Sequence, residues 1–265
     1  MTLMKVPLLA ILLWVLLLVT SPLLLRNHSR LPPSRLNKAQ PQPSATATPG
    51  DAERIVSAFT AKETEFRNAL AQYRFKRDAT VQTIGAGGQI SGEYRRNSHL
   101  TVDDSGNRIE KILFFPTPTL RAIGVSTDDL DDLFGVQFFA LETSKAPLYN
   151  FKYVGQERID ELDLHVFDVS PKALPDPKKV KDRLFQGRVW VDTEGYQIVK
   201  TRGKGLPEPK ISPYPTIETY REEIDGRFWF PTYVYADEEL LDGSGQAVKM
   251  RLRIRFTEFE KVNRK

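Results

Sequence analysis

Apolar and polar residues alternate with a period of two over most of the chain after residue 79. Successive side chains of a β-strand point to opposite faces, so this period predicts strands with one buried and one solvated face. Residues 248–256 give the clearest example. Five apolar residues alternate there with four cations: Val248, Met250, Leu252, Ile254 and Phe256 with Lys249, Arg251, Arg253 and Arg255.

Nine further segments have the composition and spacing of strands. They are 79–85, 90–96, 107–115, 149–156, 163–170, 186–193, 196–202, 216–224 and 228–236. Several are separated by short runs rich in Asp, Ser and Gly, such as Asp225-Gly226, which tolerate the positive φ of tight turns. Strands joined in this way predict an antiparallel meander. Residues 228–230 (Phe-Trp-Phe) place aromatic side chains on both faces of one strand, so each face needs a cover.

Two helices are predicted. Asp51 is the expected N-cap of a long one, and apolar residues follow it at helical spacing: Val56, Phe59, Phe66, Leu70 and Tyr73. A short one is expected at 127–134, with acidic residues near its start. The order of elements predicts a mainly β, α+β domain. Its core is a large curved antiparallel sheet, or incomplete β-barrel, with an N-terminal helix and a short second helix on the concave side.

The N-terminal region differs in composition from the rest. Residues 6–25 carry no charge, and as a helix they would span roughly 30 Å, the thickness of a bilayer core. Residues 1–25 are therefore predicted to be a membrane anchor, with a cleaved signal segment as the alternative. Residues 26–50 are rich in Pro, Ser and Ala and predict a disordered linker. Residues 51–265 form the predicted folded domain.

Charge constrains partners and orientation. The chain has 38 Lys and Arg against 34 Asp and Glu, an excess that gives no reason to expect a nucleic-acid partner. Four cations follow the apolar segment and Lys5 precedes it, which by the positive-inside rule favours a cytoplasmic domain. There is no cysteine, which excludes disulfides, thiolate metal sites and lipidation through cysteine.

Motifs for catalysis are missing from the sequence. We find no nucleophile elbow, zinc-protease motif or phosphate-binding loop, and we predict no cofactor, no metal site and no catalytic residue. His99 and His165 each stand alone in a strand. A hydrolase built on either of them is the weakest of the hypotheses that the sequence allows.

Several short motifs resemble the outer-membrane lipoprotein-sorting family, the LolA/LolB-like proteins. They are Tyr149-x-Phe151, Gly155-x-Glu157, Val169-x-Pro171-Lys172, the hairpin with Gly187-Arg188-Val189-Trp190-Val191-Asp192 and Ile198-Val199-Lys200, and Trp229-Phe230-Pro231. The resemblance spans roughly residues 50–262. It implies an incomplete β-barrel closed by helices, whose apolar concavity holds acyl chains, and a domain exported to the bacterial periplasm. The chain departs from the family's membrane-bound acceptors because it has no cysteine to carry a lipid.

The sequence and the resemblance together predict a non-catalytic protein anchored in the inner membrane through residues 6–25. The resemblance, against the charges that flank this segment, implies that the domain is in the periplasm, or is secreted there if the segment is cleaved. It would bind lipid, lipoprotein acyl chains or another apolar ligand in a half-barrel cavity, in the context of envelope lipoprotein transport. The expected cavity residues are Phe59, Phe66, Phe228, Phe230, Val248, Met250, Leu252, Ile254 and Phe256.

The alternative function is a sensory or structural module that binds another envelope protein. Its docking face would be the cationic stripe Lys249, Arg251, Arg253 and Arg255. If the stripe is only a solvated face, it is expected to pair across the sheet with acids such as Glu218, Glu222 or Glu223.

Overall fold

The computed structural model describes residues 48–103, 108–121, 141–174, 183–207, 215–241 and 245–262. Within these ranges it contains one α-helix, one short 3-10 helix and ten strands. The helix α1 spans Pro49–Leu70 and the 3-10 helix Ala146–Leu148. The strands are β1 (Tyr73–Ile84), β2 (Ile90–Val102), β3 (Arg108–Phe114), β4 (Tyr149–Ile159), β5 (Leu162–Pro171), β6 (Leu184–Asp192), β7 (Ile198–Leu206), β8 (Ile217–Ile224), β9 (Phe228–Leu241) and β10 (Ala247–Lys261).

Helix α1 begins three residues earlier than predicted. Thr48, not Asp51, is the N-cap, and its hydroxyl accepts a hydrogen bond from the Asp51 amide at 3.3 Å. Pro49 occupies the first turn, where a missing N–H costs nothing because no helical carbonyl precedes it. Asp51 instead places its charge in the first turn, beside the positive end of the helix dipole.

Each of the ten predicted strands overlaps an observed strand. The largest difference is at β1, which begins at Tyr73 rather than at residue 79. Tyr73 was wrongly assigned to the helical face because it follows Leu70 at helical spacing. Its burial instead alternates with period two through Phe75 and Ala79, so the strand starts directly after the helix.

All ten strands belong to one antiparallel sheet in the order β3-β2-β1-β10-β9-β8-β7-β6-β5-β4. This is a continuous meander from β4 to β10 that is joined to the β1–β3 meander by pairing of β10 with β1. Strands β3 and β4 are the two edges, so the sheet is not closed into a barrel. The mainly β fold predicted from the sequence is confirmed.

A single helix covers one face of the sheet, which we call the inner face; the other is the outer face. Ile55 and Phe59, in the first half of α1, belong to a core cluster with β4, β5, β6 and β7. Phe66 and Leu70, in the second half, belong to a cluster with β1, β2, β8, β9 and β10. Because one helix 22 residues long reaches nearly every strand, the sheet must curve around it.

The aromatic residues of β9 divide between the faces as predicted. Phe228 and Phe230 are buried on the inner face. Trp229 packs on the outer face against a small apolar cluster that includes Leu164 and Trp190. The turn before β9 has positive φ at both Asp225 and Gly226 (56° and 65°), as expected for the tight turn predicted at these residues.

Residues 1–25, the linker 26–50 up to residue 47, and the predicted helix 127–134 lie outside the described residues. Among the residues that the structure does describe, no helix has the length and apolarity needed to cross a bilayer.

Candidate functional site

The nine predicted cavity residues converge on the inner face, either on α1 or beneath it. Val248 is partly buried and packs against the core. The other eight are buried: Phe59, Phe66, Phe228, Phe230, Met250, Leu252, Ile254 and Phe256. Phe59 belongs to the cluster with β4 to β7, and the other eight lie in or against the larger cluster.

Aromatic rings connect α1 to the sheet at two points. Phe66 meets Phe230 edge to face, with ring centroids 5.4 Å apart. Phe59 lies 5.7 Å from each of Phe151 and Phe167. Edge-to-face pairs add a modest stabilisation beyond the area they bury. Phe151 and Phe167 extend the aromatic inner face to β4 and β5, and they were not among the residues predicted to line it.

One buried ion pair links the middle of α1 to β8. Arg221 donates to both oxygens of Glu63, at 2.6 and 3.0 Å, and the two side chains are only 7% and 1% exposed. The guanidinium also lies 4.9 Å from the centroid of the Phe66 ring. A bidentate pair in this setting has a fixed geometry, so it sets where α1 sits along the sheet. The pair was not predicted, because neither residue stands out in the pattern of apolar and polar positions.

A second charged cluster lies on the inner face near the β3 edge. Glu110 accepts hydrogen bonds from Arg77 at 2.6 Å, from Arg96 at 2.5 Å and from Ser98. Burial alone would raise the pKa of Glu110. The hydrogen bond from Ser98 and the charges of Arg77 and Arg96 outweigh burial, and the pKa is lowered.

Apolar side chains are exposed along the same edge. Five residues of β3 and its continuation are 45–52% exposed: Ile109, Ile112, Leu113, Phe114 and Phe115. Phe115 contacts the buried ring of Tyr94 at 5.3 Å, and Leu120 packs against the main core cluster. Phe115 and Leu120 therefore connect the end of this segment to the core on the inner face, whereas Phe114 lies 5.7 Å from the Arg95 guanidinium on the other face. The sequence marked this segment as a strand but gave no sign that it would be an edge.

The predicted docking stripe lies on the outer face of β10. Lys249 and Arg251 both bind Asp237 on β9, at 3.4 and 2.9 Å, and Arg255 lies 5.9 Å from the Tyr233 ring. Arg253 forms no ion pair with any described residue and lies opposite Tyr235. The expected pairing with Glu218, Glu222 or Glu223 is wrong, because those acids are on β8 and β9 lies between.

The two histidines are far apart, on β2 and β5. His165 stacks on Tyr196, and its Nδ1 lies 3.3 Å from the Tyr153 hydroxyl. Burial and the nearby charge of Arg54 lower the pKa of His165. In the described part of the chain, no three His, Asp or Glu side chains come together in a way that could hold a metal ion.

A groove on the outer face of β4 to β8 was missed. It has a volume of about 710 Å³ and is lined by cations of β4, β6 and β7. Part of its signal was in the sequence: Lys200, Arg202 and Lys204 alternate along β7 as the stripe does along β10. The predicted strand ended at residue 202, so the third cation was not counted with the others.

Several solved structures are similar to this chain over about four fifths of its length. A LolA superfamily protein from Nitrosomonas europaea is similar over 80% of this chain and 93% of its own, with 15% identity and a TM-score of 0.34. A domain described as an outer-membrane lipoprotein-sorting protein, from Vibrio parahaemolyticus, is similar over 79% and 93%, with 11% identity and a TM-score of 0.39.

A DUF1329 family protein from Desulfovibrio piger is also similar, over 79% of this chain and 92% of its own, with 12% identity and a TM-score of 0.39. Two of these similar proteins carry the name of the family that the sequence motifs resemble. The sequence itself matches no family model and no curated protein.

Proposed function

We propose that this protein is a non-catalytic carrier of the bacterial cell envelope that buries an apolar ligand, such as lipid or the acyl chains of a lipoprotein, between α1 and the inner face of the sheet. In this proposal residues 6–25 hold the protein to the inner membrane and the domain faces the periplasm. The observation that carries the proposal is the exposed apolar edge formed by β3 and residues up to Phe115.

The exposed apolar residues of β3 and its continuation to Phe115 provide the route by which an apolar ligand reaches the inner face. Exposed apolar side chains are costly in water, about 25 cal/mol per Å² of accessible area, and a contiguous set of them is typical of a binding surface. Here the set leads to the inner face through the contact between Phe115 and Tyr94. An acyl chain laid along the edge would replace water at these side chains, and each buried methylene would contribute about 0.8 kcal/mol.

Helix α1 gives the inner face its cover. Its contacts with the sheet are largely aromatic and aliphatic, which can re-pack around a flexible chain more readily than a polar interface. The nine predicted cavity residues, Phe59 and Phe66 on the helix among them, are the side chains that a ligand would contact once α1 moved away from the sheet.

The test is ligand capture by the full-length chain. The protein is purified from a host with a cell envelope, examined by native mass spectrometry and extracted for lipid, and then titrated with a dansyl-labelled fatty acid. We expect near-unit stoichiometry of a co-purified lipid and saturable uptake of the probe. Phe115→Asp should lower uptake about tenfold, since a charge at the entry opposes burial of the chain.

Leu241→Asp is the matched control, because Leu241 is an exposed apolar residue (60%) at the end of β9. Its uptake should equal that of the unmodified protein. A mass free of ligand together with no uptake of the probe would overturn the carrier proposal, as would equal losses in the two variants.

A second candidate is the module that binds another envelope protein through its sheet surface. It is favoured by the side chains around Arg253, which has no ion pair with the described residues and lies beside Tyr233 and Tyr235. Arginine and tyrosine are enriched at the centres of protein interfaces. Reversing the charge of Arg253 and Arg255 would abolish capture of such a partner and leave uptake of the fatty acid unchanged.

A further inference from the structure

The groove on the outer face holds a concentration of charge that the carrier function does not use. Its volume of about 710 Å³ is that of a site for a small ligand. Five cations and two carboxylates line it, an excess of three positive charges. They are Lys152, Arg188, Lys200, Arg202 and Lys204 with Asp168 and Glu218.

Four of these residues form a row across neighbouring strands. Asp168 on β5 pairs in register with Arg188 on β6, Arg188 with Arg202 on β7, and Arg202 with Glu218 on β8. Each arginine contacts the acid on its far side: Arg188 Nε to Asp168 Oδ1 at 2.7 Å, and Arg202 Nε to Glu218 Oε1 at 3.3 Å. The two guanidinium-bearing residues are thus directly opposite each other in adjacent strands.

Like charges directly opposite across a strand pair are destabilising. The two acids partly compensate for this pair, but they lie on its outer sides. The position between Arg188 and Arg202 is open to the groove that both residues line. An anion there would be bound by both arginines at once.

The remaining cations surround the same position. Lys200 lies 3.2 Å from Glu218 and 4.9 Å from the ring centroids of both Trp190 and Tyr220, so its ammonium is held in place beside the groove. Lys152 makes no hydrogen bond or ion pair with any described residue. Its charge is therefore available to a ligand.

The surroundings of Glu218 favour its charged form. Burial alone would raise the pKa of Glu218. Hydrogen bonds from Tyr220 and Lys200, with the charges of Lys200 and Arg202, outweigh it, and the pKa is lowered. Uncharged hydrogen-bonding side chains complete the lining: Asn150, Ser170, Gln186 and Thr216.

We propose that this groove binds a phosphate group, carried by a phosphomonoester or a phosphodiester, whose oxygens accept hydrogen bonds from Arg188 and Arg202 together. A tetrahedral phosphate has several acceptor oxygens in different directions and up to two negative charges, which suits two opposed guanidinium groups and an excess of three positive charges. A carboxylate carries one charge and has two acceptor oxygens, so it would offset less of the positive excess than a phosphate.

The group can come from a soluble phosphate ester or from a phospholipid headgroup, and two probes separate them. The full-length chain is titrated with glycerol 3-phosphate by calorimetry and tryptophan fluorescence, with Trp190 as the reporter inside the groove. Vesicles of phosphatidylcholine, with and without phosphatidic acid, are then used to displace the bound ester. Displacement by phosphatidic acid vesicles alone identifies a headgroup site; binding of the ester without displacement identifies a soluble ligand.

The double variant Arg188→Gln/Arg202→Gln should bind glycerol 3-phosphate at least about tenfold more weakly, because two charge-assisted hydrogen bonds are lost. Arg253→Gln is the matched control. Arg253 is a cation on the outer face in the same cross-strand row, but it lies outside the groove. Its affinity should stay within about twofold of the unmodified protein, since exposed charges at this distance are screened by salt.

Lys152→Gln guards against a folding defect in the double variant, because Lys152 has no described partner to lose. We expect it to weaken binding about threefold with an unchanged circular dichroism spectrum. Three results would overturn the proposal: no binding of glycerol 3-phosphate, equal losses in Arg253→Gln and in the groove variants, or acetate competing as well as inorganic phosphate at equal ionic strength. Because the groove and the inner face are on opposite sides of the sheet, this proposal and the carrier proposal can each fail alone.

Discussion

Charged side chains are arranged differently on the two faces of the ten-stranded sheet. On the inner face two groups of ionic side chains are held in close pairs: Glu63 with Arg221, and Glu110 with Arg77 and Arg96. On the outer face cations outnumber acids, and one acid forms ion pairs with two cations. Asp237 pairs with Lys249 and Arg251, and Glu218 pairs with Lys200 and Arg202.

The cause of this difference is the cost of desolvation. A charge beneath α1 has lost its water and must find a partner, whereas a charge on the outer face keeps its water and tolerates an imperfect one. The outer face can therefore accumulate an excess of one sign, and the inner face cannot. An excess of cations indicates function on the outer face, and an exposed apolar edge indicates it on the inner face.

The largest effect is expected from the apolar contact of α1 with β4 and β5. Phe59 is fully buried against Phe151 and Phe167, so Phe59→Ala should cost about 3–5 kcal/mol of the free energy of unfolding. Chemical denaturation of the full-length chain measures this. Leu241→Ala, at an exposed apolar position, should stay within about 0.5 kcal/mol of the unmodified protein. Equal losses in both would mean that α1 does not pack as described.

A smaller but still large effect is expected from the buried ion pair. Glu63→Gln leaves the Arg221 charge without its counter-charge at a site that water does not reach, and should cost about 3 kcal/mol. The double variant Glu63→Leu/Arg221→Met removes both charges and should recover most of that loss, because an apolar pair of similar volume avoids the desolvation penalty. A double variant less stable than Glu63→Gln would contradict this explanation.

The Glu110 cluster predicts a dependence on pH. The pKa of Glu110 is lowered in the folded protein, so its stabilising contribution is complete above its unfolded pKa of about 4.3 and is lost as the pH falls through the lower folded value. The free energy of unfolding should therefore fall on acidification below about pH 4.3, and fall less steeply in Glu110→Gln. Glu161→Gln, in an exposed turn, is the control and should leave the acid limb unchanged.

The smallest effect is expected from an ion pair at the solvent-exposed turn between β4 and β5. Arg158 and Asp163 lie 3.3 Å apart with side chains 65% and 59% exposed. Such a pair contributes about 0–1 kcal/mol, so Arg158→Ala should change the midpoint of denaturation very little at any salt concentration. A loss comparable with that of Glu63→Gln would remove the distinction between buried and exposed charge drawn above.

The fold was accessible to sequence analysis because its elements carry strong local patterns. Residues 248–256 alternate almost perfectly, and each alternating position predicted inner or outer correctly in β10. Asp225-Gly226 predicted its turn because positive φ at two successive positions favours these residue types. Element boundaries were less accurate: Tyr73 fits a helix and a strand equally well, and only burial decides between them.

The sites were less accessible because they depend on which strands are neighbours. Nothing in the chain indicates that Arg188 and Arg202 lie opposite each other until the register of β6 and β7 is known. The predicted pairing of the β10 cations with acids of β8 was wrong for the same reason. It depends on the order of strands, in which β9 lies between β8 and β10. Glu63 and Arg221 are 158 positions apart in sequence, and neither residue is unusual alone.

The order of strands also has a consequence for biosynthesis. The first and last strands, β1 and β10, are neighbours near the middle of the sheet, with Tyr73 aligned to Lys261 and Ile84 to Lys249. During synthesis, β1–β3 and β4–β9 can each form before β10 does, but both leave a long strand unpaired until β10 is available. Such unpaired edges promote aggregation, and joining the ends of a chain late makes folding slow. In the nascent protein, the unpaired edges of β1 and β9 therefore need protection until β10 has paired with both of them.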